Sequence, residues 1–424
     1  MIIVVGGDDG YAMPMAVTLY SALANMETGR AVSLYILDGG ISEQNRRKLT
    51  DVLNVTRLEV HIEWVKPDLS QLEGLANYSY TWITQAAYLR LLIPELLPTE
   101  CQRAIYLDSD VVVERDLGQL WKQPIEAFPA LAVANYHPPF VGCRKDENHL
   151  FSGLAPETVY CNTGVMVMNL KRWHVEKIGP RAQELARKFQ LSEGDQEALN
   201  VVIAGAWGLL DPKWNVQLSG VDEYAHILKQ FSYVSDLQMQ QTRDELLREP
   251  YIRHFTARFK PWHFAYKEPA RLRFFHYLRQ SRWFGDVEDI NELMALTWKE
   301  ANEHDPLMKQ LYFAKQDLDA LIPLGDTFIM VDECKWHPGV AGPWEGWYAI
   351  PFLERDGKCW GPPSNDETGI REVERLRQSG ANFTVFLWPA FWWLEYYSRL
   401  HAYLCTHFTC VLKNERLVVF DLRS

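Results

Sequence analysis

The chain has no long run of Lys or Arg, and its formal net charge is −12. It therefore lacks the basic stripe by which a nucleic-acid binder meets phosphates. The nearest basic segment, Arg271 to Arg282, alternates with Leu and Phe. It reads as an amphipathic helix, either packed with one solvated face or touching an anionic membrane surface. No CxxC pair occurs, and the Cys count is the odd number seven (101, 143, 161, 334, 359, 405 and 410). This favours free thiols in a reducing compartment over a disulfide framework. No stretch reaches the roughly 18 apolar residues of a membrane span. The opening MIIVVGGDDG lacks the basic start and longer apolar run of a secretory signal. The expectation is a cytoplasmic protein with at most peripheral membrane contact. No GxGxxG loop and no P-loop Lys follow the first apolar run. No repeat or low-complexity tract is visible, and 47% hydrophobic with 23% charged residues excludes a disordered chain.

What is present is an ordered alternation of strand-like and helix-like segments. IIVVGG reads as a buried strand, YAMPMAVTLYSALANM as a helix and AVSLYILDGG as a second strand. SEQNRRKLTDVL is a helix opening on Ser42 as N-cap, and LEVHIEW is a third strand. This β-α-β-α-β order predicts a mostly parallel, doubly wound sheet with ligands at the carboxyl ends of its strands. Helix TQAAYLRLLIPELL, strand RAIYLDSDVVVE, strands ALAVANY and GVMVMNL and a helix from Gly179 to Lys188 continue it. A helical stretch from about Asp289 to Asp319 leads to a second, smaller α/β pattern starting near Asp326. At 424 residues two or three domains are expected. The division is placed at 1–303 and 304–424. In the second part PAFWWLEYY brings Trp392, Trp393, Tyr396 and Tyr397 together on a helix, as core packing or as an aromatic platform for a glycan or partner.

Four clusters carry chemistry. Asp108-Ser109-Asp110 ends a buried strand, where side chains two apart share a face. Two carboxylates so close repel unless a cation joins them, and Mg²⁺ or Mn²⁺ would also hold a diphosphate. A solvated strand-end turn is the plainer alternative. After the first strand, Gly6 and Gly7 permit close backbone approach, Asp8 or Asp9 offers acceptors to a base or ribose, and Tyr11 offers a stacking face. A plain βα turn would look the same. His254 in IRHFTARFKPW is suited to join two carboxylates on a metal, and Lys260 to meet a phosphate; a lone His is also a common core residue. Asn162 in CNTGVMVMNL and Asp195 and Gln196 in GDQEALN suit sugar hydroxyls, although caps and turns use the same residues.

The order VVGGDDGYAMPMAVTLYSAL, YLRLLIPELL, IYLDSDVVV, NTGVMVMNL, GDQEALN, HFTARFKPW resembles family-8 glycosyltransferases over roughly residues 1–280. These include bacterial lipopolysaccharide glucosyl- and galactosyltransferases and, more distantly, glycogenin. The resemblance implies a GT-A-like nucleotide-sugar-binding domain, and the small C-terminal α/β domain lies outside it. It implies a retaining, Mn²⁺-dependent transfer of a hexose, glucose or galactose, from a UDP-sugar to a glycan or lipid-linked glycan, as in lipopolysaccharide biosynthesis. By that resemblance Asp108, Asp110 and His254 are metal ligands, and Gly7, Asp8 and Tyr11 lie around the uridine. Arg90, Asp108, Ser109, Asn162 and Lys260 then contact the donor, with Asp195 and Gln196 at the reacting centre.

Two positions depart from the pattern: Ala257 stands where Gly is usual, and Gly10 where a side chain such as Asn is common. The stretch NYHPPFVGCRKDENHLF has no counterpart and is expected to shape the acceptor pocket. Gln196 is a poor nucleophile, which favours front-face attack over a covalent intermediate. A nucleotidyltransferase would need a Gly-rich, Lys- or Arg-bearing loop after the first strand, and none is there. The other alternative is a non-catalytic or self-modifying protein that binds UDP-sugar or glycan.

Overall fold

The computed structural model describes the chain apart from residues 55–57, 76–83, 144–149, 190, 223, 225–235, 267, 337–343, 345, 357 and 424. The chain forms two compact units. One takes Met1–Lys260 and Leu272–Leu296, the other Pro261–Arg271 and Thr297–Ser424.

The first unit is built on a seven-stranded sheet. β1 (Ile2–Gly7), β2 (Val32–Asp38) and β3 (Val60–Val65) are linked through α1 (Ala12–Ala24) and α2 (Glu43–Asn54). They pair in parallel, with β2 between the other two. β4 (Arg103–Leu107) then adds in parallel to the opposite edge of β1. Strand order therefore reverses at β1, and the carboxyl ends of β1 and β4 flank the crevice that such sheets offer to ligands. Beyond β4 the sheet continues through β7 (Cys161–Asn169), β6 (Ala130–Ala134) and β8 (Gly208–Leu209). The β4–β7 and β6–β7 ladders are antiparallel, while β6–β8 is parallel. The sheet is mostly parallel, as the sequence pattern predicts. Ser42 caps α2 as expected, its Oγ accepting from the Asn45 N–H at 3.3 Å. The basic segment is helix Arg271–Ser281, which buries Phe274, Phe275, Tyr277 and Leu278.

One strand expectation needs correction. RAIYLDSDVVVE is not continuous: Asp108-Ser109-Asp110 is a turn between β4 and β5 (Val111–Val113). β5 leaves the main sheet for a three-stranded one with β10 (Ile252–His254) and β9 (Val216–Gln217). Its other edge is satisfied by α1. Thr18 Oγ1 donates to Val111 O at 2.8 Å, Ser21 Oγ accepts from Val113 N at 3.0 Å, and Asn25 Nδ2 donates to Val113 O at 2.9 Å. Buried peptide groups must be paired, and here side chains supply the partners. The segment TQAAYLRLLIPELL also differs: Gln85–Leu92 winds as 3₁₀ turns and only Ile93–Leu96 is α-helical.

The second unit holds a five-stranded sheet ordered β12-β11-β15-β17-β16. Its strands are β11 (Thr327–Val331), β12 (Tyr348–Pro351), β15 (Phe383–Leu387), β16 (Thr409–Lys413) and β17 (Leu417–Asp421). The short hairpin β13 (Glu354–Arg355) and β14 (Lys358–Cys359) lies between β12 and β15 in the chain. Of the aromatic quartet, Trp393 and Tyr397 enter the core, whereas Trp392 and Tyr396 are 41% and 72% exposed. Cys334 and Cys359 form a disulfide, with Cα atoms 5.7 Å apart. This corrects the expectation of free thiols, which holds for the other five Cys. An odd count conceals a single bridge between residues 25 apart in the chain, one of them on β14. No helix among the described residues is long and apolar enough to cross a membrane.

Candidate functional site

The crevice at the ends of β1 and β4 is a cavity of about 480 Å³ within the first unit. Every site residue that the family resemblance implies lines it. At its floor Asp108, Asp110 and His254 each present one ligand atom, all within 4.8 Å of one another. Although the two acids sit in a turn, their other contacts aim them together. Asp108 Oδ1 accepts from Arg90 Nη2 and from the Tyr106 hydroxyl, both at 2.8 Å. Asp110 Oδ2 accepts from Lys260 Nζ at 2.7 Å. That leaves Asp108 Oδ2 and Asp110 Oδ1 facing His254 Nε2, at 3.7 and 3.3 Å. His254 is carried by β10, which pairs with β5, so the ladder sets its register against Val111. A Cβ on Gly164 would lie 2.3 Å from His254 Cε1 and 2.6 Å from Asp108 Oδ2, so any side chain there would fill the space between them.

Burial alone would raise the pKa of Asp110, but the Lys260 ammonium outweighs it and holds the carboxyl well below the usual range. Two carboxylate oxygens and an imidazole nitrogen are a donor set that fits a hard divalent cation.

Asp195 behaves in the opposite sense. Burial pushes its pKa up to about 7, against the pull of Arg90 and with help from Asp108. Arg90 Nε lies 2.8 Å from Asp195 Oδ2, and Nη1 donates to Thr163 O at 2.9 Å. Arg90 thus joins the acidic floor to the start of helix Asp195–Ile203. Gln196 is held at both ends of its amide: Oε1 accepts from Thr163 N at 3.1 Å, and Nε2 donates to Glu193 Oε2 at 2.7 Å. Asn162 lies on β7 beside them.

At the other end, Asp8 Oδ2 accepts from Thr84 Oγ1 at 2.7 Å, and a Cβ on Gly7 would come within 2.9 Å of Met15 Cε, so the tip of that side chain would have to shift. Burial, then Asp110 and Asp8, raises the pKa of the Tyr11 hydroxyl. Of the two candidate acids here, Asp8 lines the cavity; Asp9 instead accepts from Ser42 N and Asn45 Nδ2, both at 2.8 Å. The Ser109 hydroxyl donates to Gly6 O at 2.9 Å and ties the acidic turn to β1. Asn135, Tyr136 and His137 of the unmatched stretch line the cavity, while 144–149 lie outside the described residues. Ala257 also lines it, with φ +69°. Glu193, Gly164 and Asn215 are site residues that sequence reasoning missed. Each is a single residue in a turn or strand, where the same residue types serve as caps and turns.

A crevice at the strand-order reversal, with an acidic pair and a histidine at its floor, defines a class before it defines a family. The galactosyltransferase LgtC, solved with donor and acceptor sugar analogs, shares the fold at TM-score 0.55 and 23% identity, over 69% of this chain and 98% of LgtC. The fold is GT-A-like. The model of glycosyl transferase family 8 matches residues 2–265, and the chain belongs to that family of glycosyltransferases. General stress protein A of Bacillus subtilis (strain 168) is 31% identical over 290 residues, spanning 67% of this chain and 94% of its own. The lipopolysaccharide 1,2-glucosyltransferase of Escherichia coli (strain K12) is 24% identical over 264 residues, 61% of this chain and 71% of its own.

Proposed function

We propose that this glycosyltransferase moves a hexose, glucose or galactose, from a UDP-sugar to a glycan acceptor with retention of configuration. The observation that carries the reading is the convergence of Asp108, Asp110, His254 and Lys260 in the crevice. Mn²⁺, or Mg²⁺ in its place, bound by the first three would supply Lewis-acid stabilisation to the diphosphate. Departure of UDP develops charge on its β-phosphate, and Lys260, 8% exposed, is a preorganised cation for that charge. Gly7, Asp8 and Tyr11 receive the uridine; Ser109 keeps the acidic turn against β1 beside it.

Arg90, Asn162, Asp195 and Gln196 surround the sugar. A double displacement needs a carboxylate nucleophile beneath the ring. Gln196 is an amide engaged at both ends, and Asp195 is paired with Arg90. Front-face attack is therefore the better fit. A lipid-linked glycan acceptor is supported by the lipopolysaccharide transferase among the relatives.

The test is UDP release from UDP-glucose and UDP-galactose, with Mn²⁺ and with chelator, followed by NMR of the transferred sugar. Metal-dependent release and an α-linked product from an α-donor are expected. Full activity in chelator would refute the metal role, and a β-linked product would refute retention.

A further inference from the structure

Asn215 ends a 3₁₀ turn, Pro212–Asn215, just before β9, and it is fully buried. No sugar-binding or metal-binding role falls to it directly. Its side chain lies between His254 and a line of two further amides, Asn162 and Asn135, both 5% exposed. An amide carries a donor at one end and an acceptor at the other, so the direction of each hydrogen bond is fixed by neighbours that have no choice.

Both ends of this line are such groups. The Gly164 backbone N–H can only donate, and it meets Asn162 Oδ1 at 3.1 Å. At the far end, the carbonyls of His137 and Pro138 can only accept, and they meet Asn135 Nδ2 at 2.8 and 3.2 Å. Asn135 therefore presents Oδ1 to Asn162 Nδ2, at 3.2 Å. Asn162 Oδ1 must then receive Asn215 Nδ2, at 2.8 Å. That turns Asn215 Oδ1 towards His254 Nδ1, at 2.9 Å. An amide oxygen can only accept, so the proton of the neutral imidazole sits on Nδ1 and the lone pair on Nε2.

We infer that Asn215 is a positioning residue that sets the tautomer of His254 and so prepares Nε2 as a metal ligand. Without it the other tautomer has an evident attraction. Nε2–H would donate to Asp110 Oδ1, 3.3 Å away, and the ring would be spent on the carboxylate. With Asn215 in place three electron-pair donors face one another, an arrangement satisfied by a cation. Partners of this kind behind a ligating histidine typically change metal affinity by about 10–100-fold. The inference rests on the metal reading above for its consequence, although the tautomer itself is a property of the metal-free protein.

The experiment has two arms. In the first, ¹⁵N-histidine-labelled, metal-free protein is examined by long-range ¹H–¹⁵N NMR, with His254 assigned by its loss in His254→Gln. A pyrrole-like Nδ1 and pyridine-like Nε2 are expected; an Nε2–H tautomer in the unmodified protein overturns the proposal without need of any variant. In the second, Mn²⁺ alone is titrated into the protein and followed by electron paramagnetic resonance. Asn215→Leu is expected to weaken binding by about 10–100-fold. Asn215→Asp, which keeps an acceptor at Nδ1, should stay nearer the unmodified value. Equal Mn²⁺ affinity in folded Asn215→Leu and unmodified protein would overturn the positioning role. Failure of the unmodified protein to bind Mn²⁺, with the Nδ1–H tautomer present, would instead defeat the metal reading.

Discussion

Replacing Arg90 by Met tests the electrostatics of the site most directly. Arg90 is 6% exposed and lies 2.8 Å from both Asp108 and Asp195. Met keeps much of the volume and removes the charge. Breaking a buried ion pair from one side costs about 3–5 kcal/mol, because a charge is left without its partner. Here two carboxylates lose it, and they differ. Asp108 keeps the Tyr106 hydroxyl, whereas Asp195 already titrates at about 7 with Arg90 present. A carboxyl whose folded pKa is raised above its unfolded value binds its proton more tightly when folded. Its contribution to stability therefore falls as pH rises from about 4 to 7 and is flat above that. In Arg90→Met the folded pKa moves higher still, and each further unit adds about 1.4 kcal/mol of loss at pH above it. The destabilisation should be smaller at pH 5.5, where Asp195 is protonated in both proteins, and larger at pH 8.5. Hydrogen exchange of the Cys161–Asn169 amides reads the opening free energy of this unit. A deficit under about 1 kcal/mol, or one equal at the two pH values, would refute the account.

Gly164→Ala should abolish Mn²⁺ binding in a folded protein, because its methyl would lie between His254 and Asp108; unchanged affinity in a titration would contradict the packing. Ala257→Gly should stabilise the protein by about 1–2 kcal/mol, the cost of a Cβ in left-handed backbone, seen as a higher Tm. Asp110→Asn should eliminate transfer and cost about 1.5–3 kcal/mol by removing the carboxylate from the buried Lys260 ammonium. The Asp110 pKa is depressed on folding, so this loss should be full above about pH 4 and shrink as the medium becomes more acid. Urea midpoints against pH would measure it.

The sequence displayed the acids, the histidine and the lysine because their chemistry is confined to few residue types and their order along the chain is distinctive. It gave the wrong local geometry for Asp108 and Asp110, since a continuous apolar run with a polar centre looks like one strand. What broke the strand was a set of partners far away in sequence: Thr18 and Ser21 on one edge and β10 on the other. Asn215 and Gly164 were invisible for a similar reason. Asn215 meets His254 39 residues later, and nothing local distinguishes an amide that holds an imidazole from one that closes a turn. The Cys334–Cys359 bridge has one end on a hairpin of two-residue strands, too short to leave a period in the pattern.

The hydroxyls of α1 that stand in for a missing strand constrain how this sequence can drift. Thr18 Oγ1 both donates to Val111 O and accepts from Val111 N, at 2.8 and 3.3 Å. Valine has the same outline but neither capacity, so a change that looks silent by shape would orphan two buried peptide groups. Such groups cost roughly 1–3 kcal/mol each. In any set of descendants of this chain, position 18 should therefore keep a hydroxyl whatever side chains stand at Val111–Val113, because the bonds are to backbone groups. A helix residue here inherits the substitution rules of a sheet.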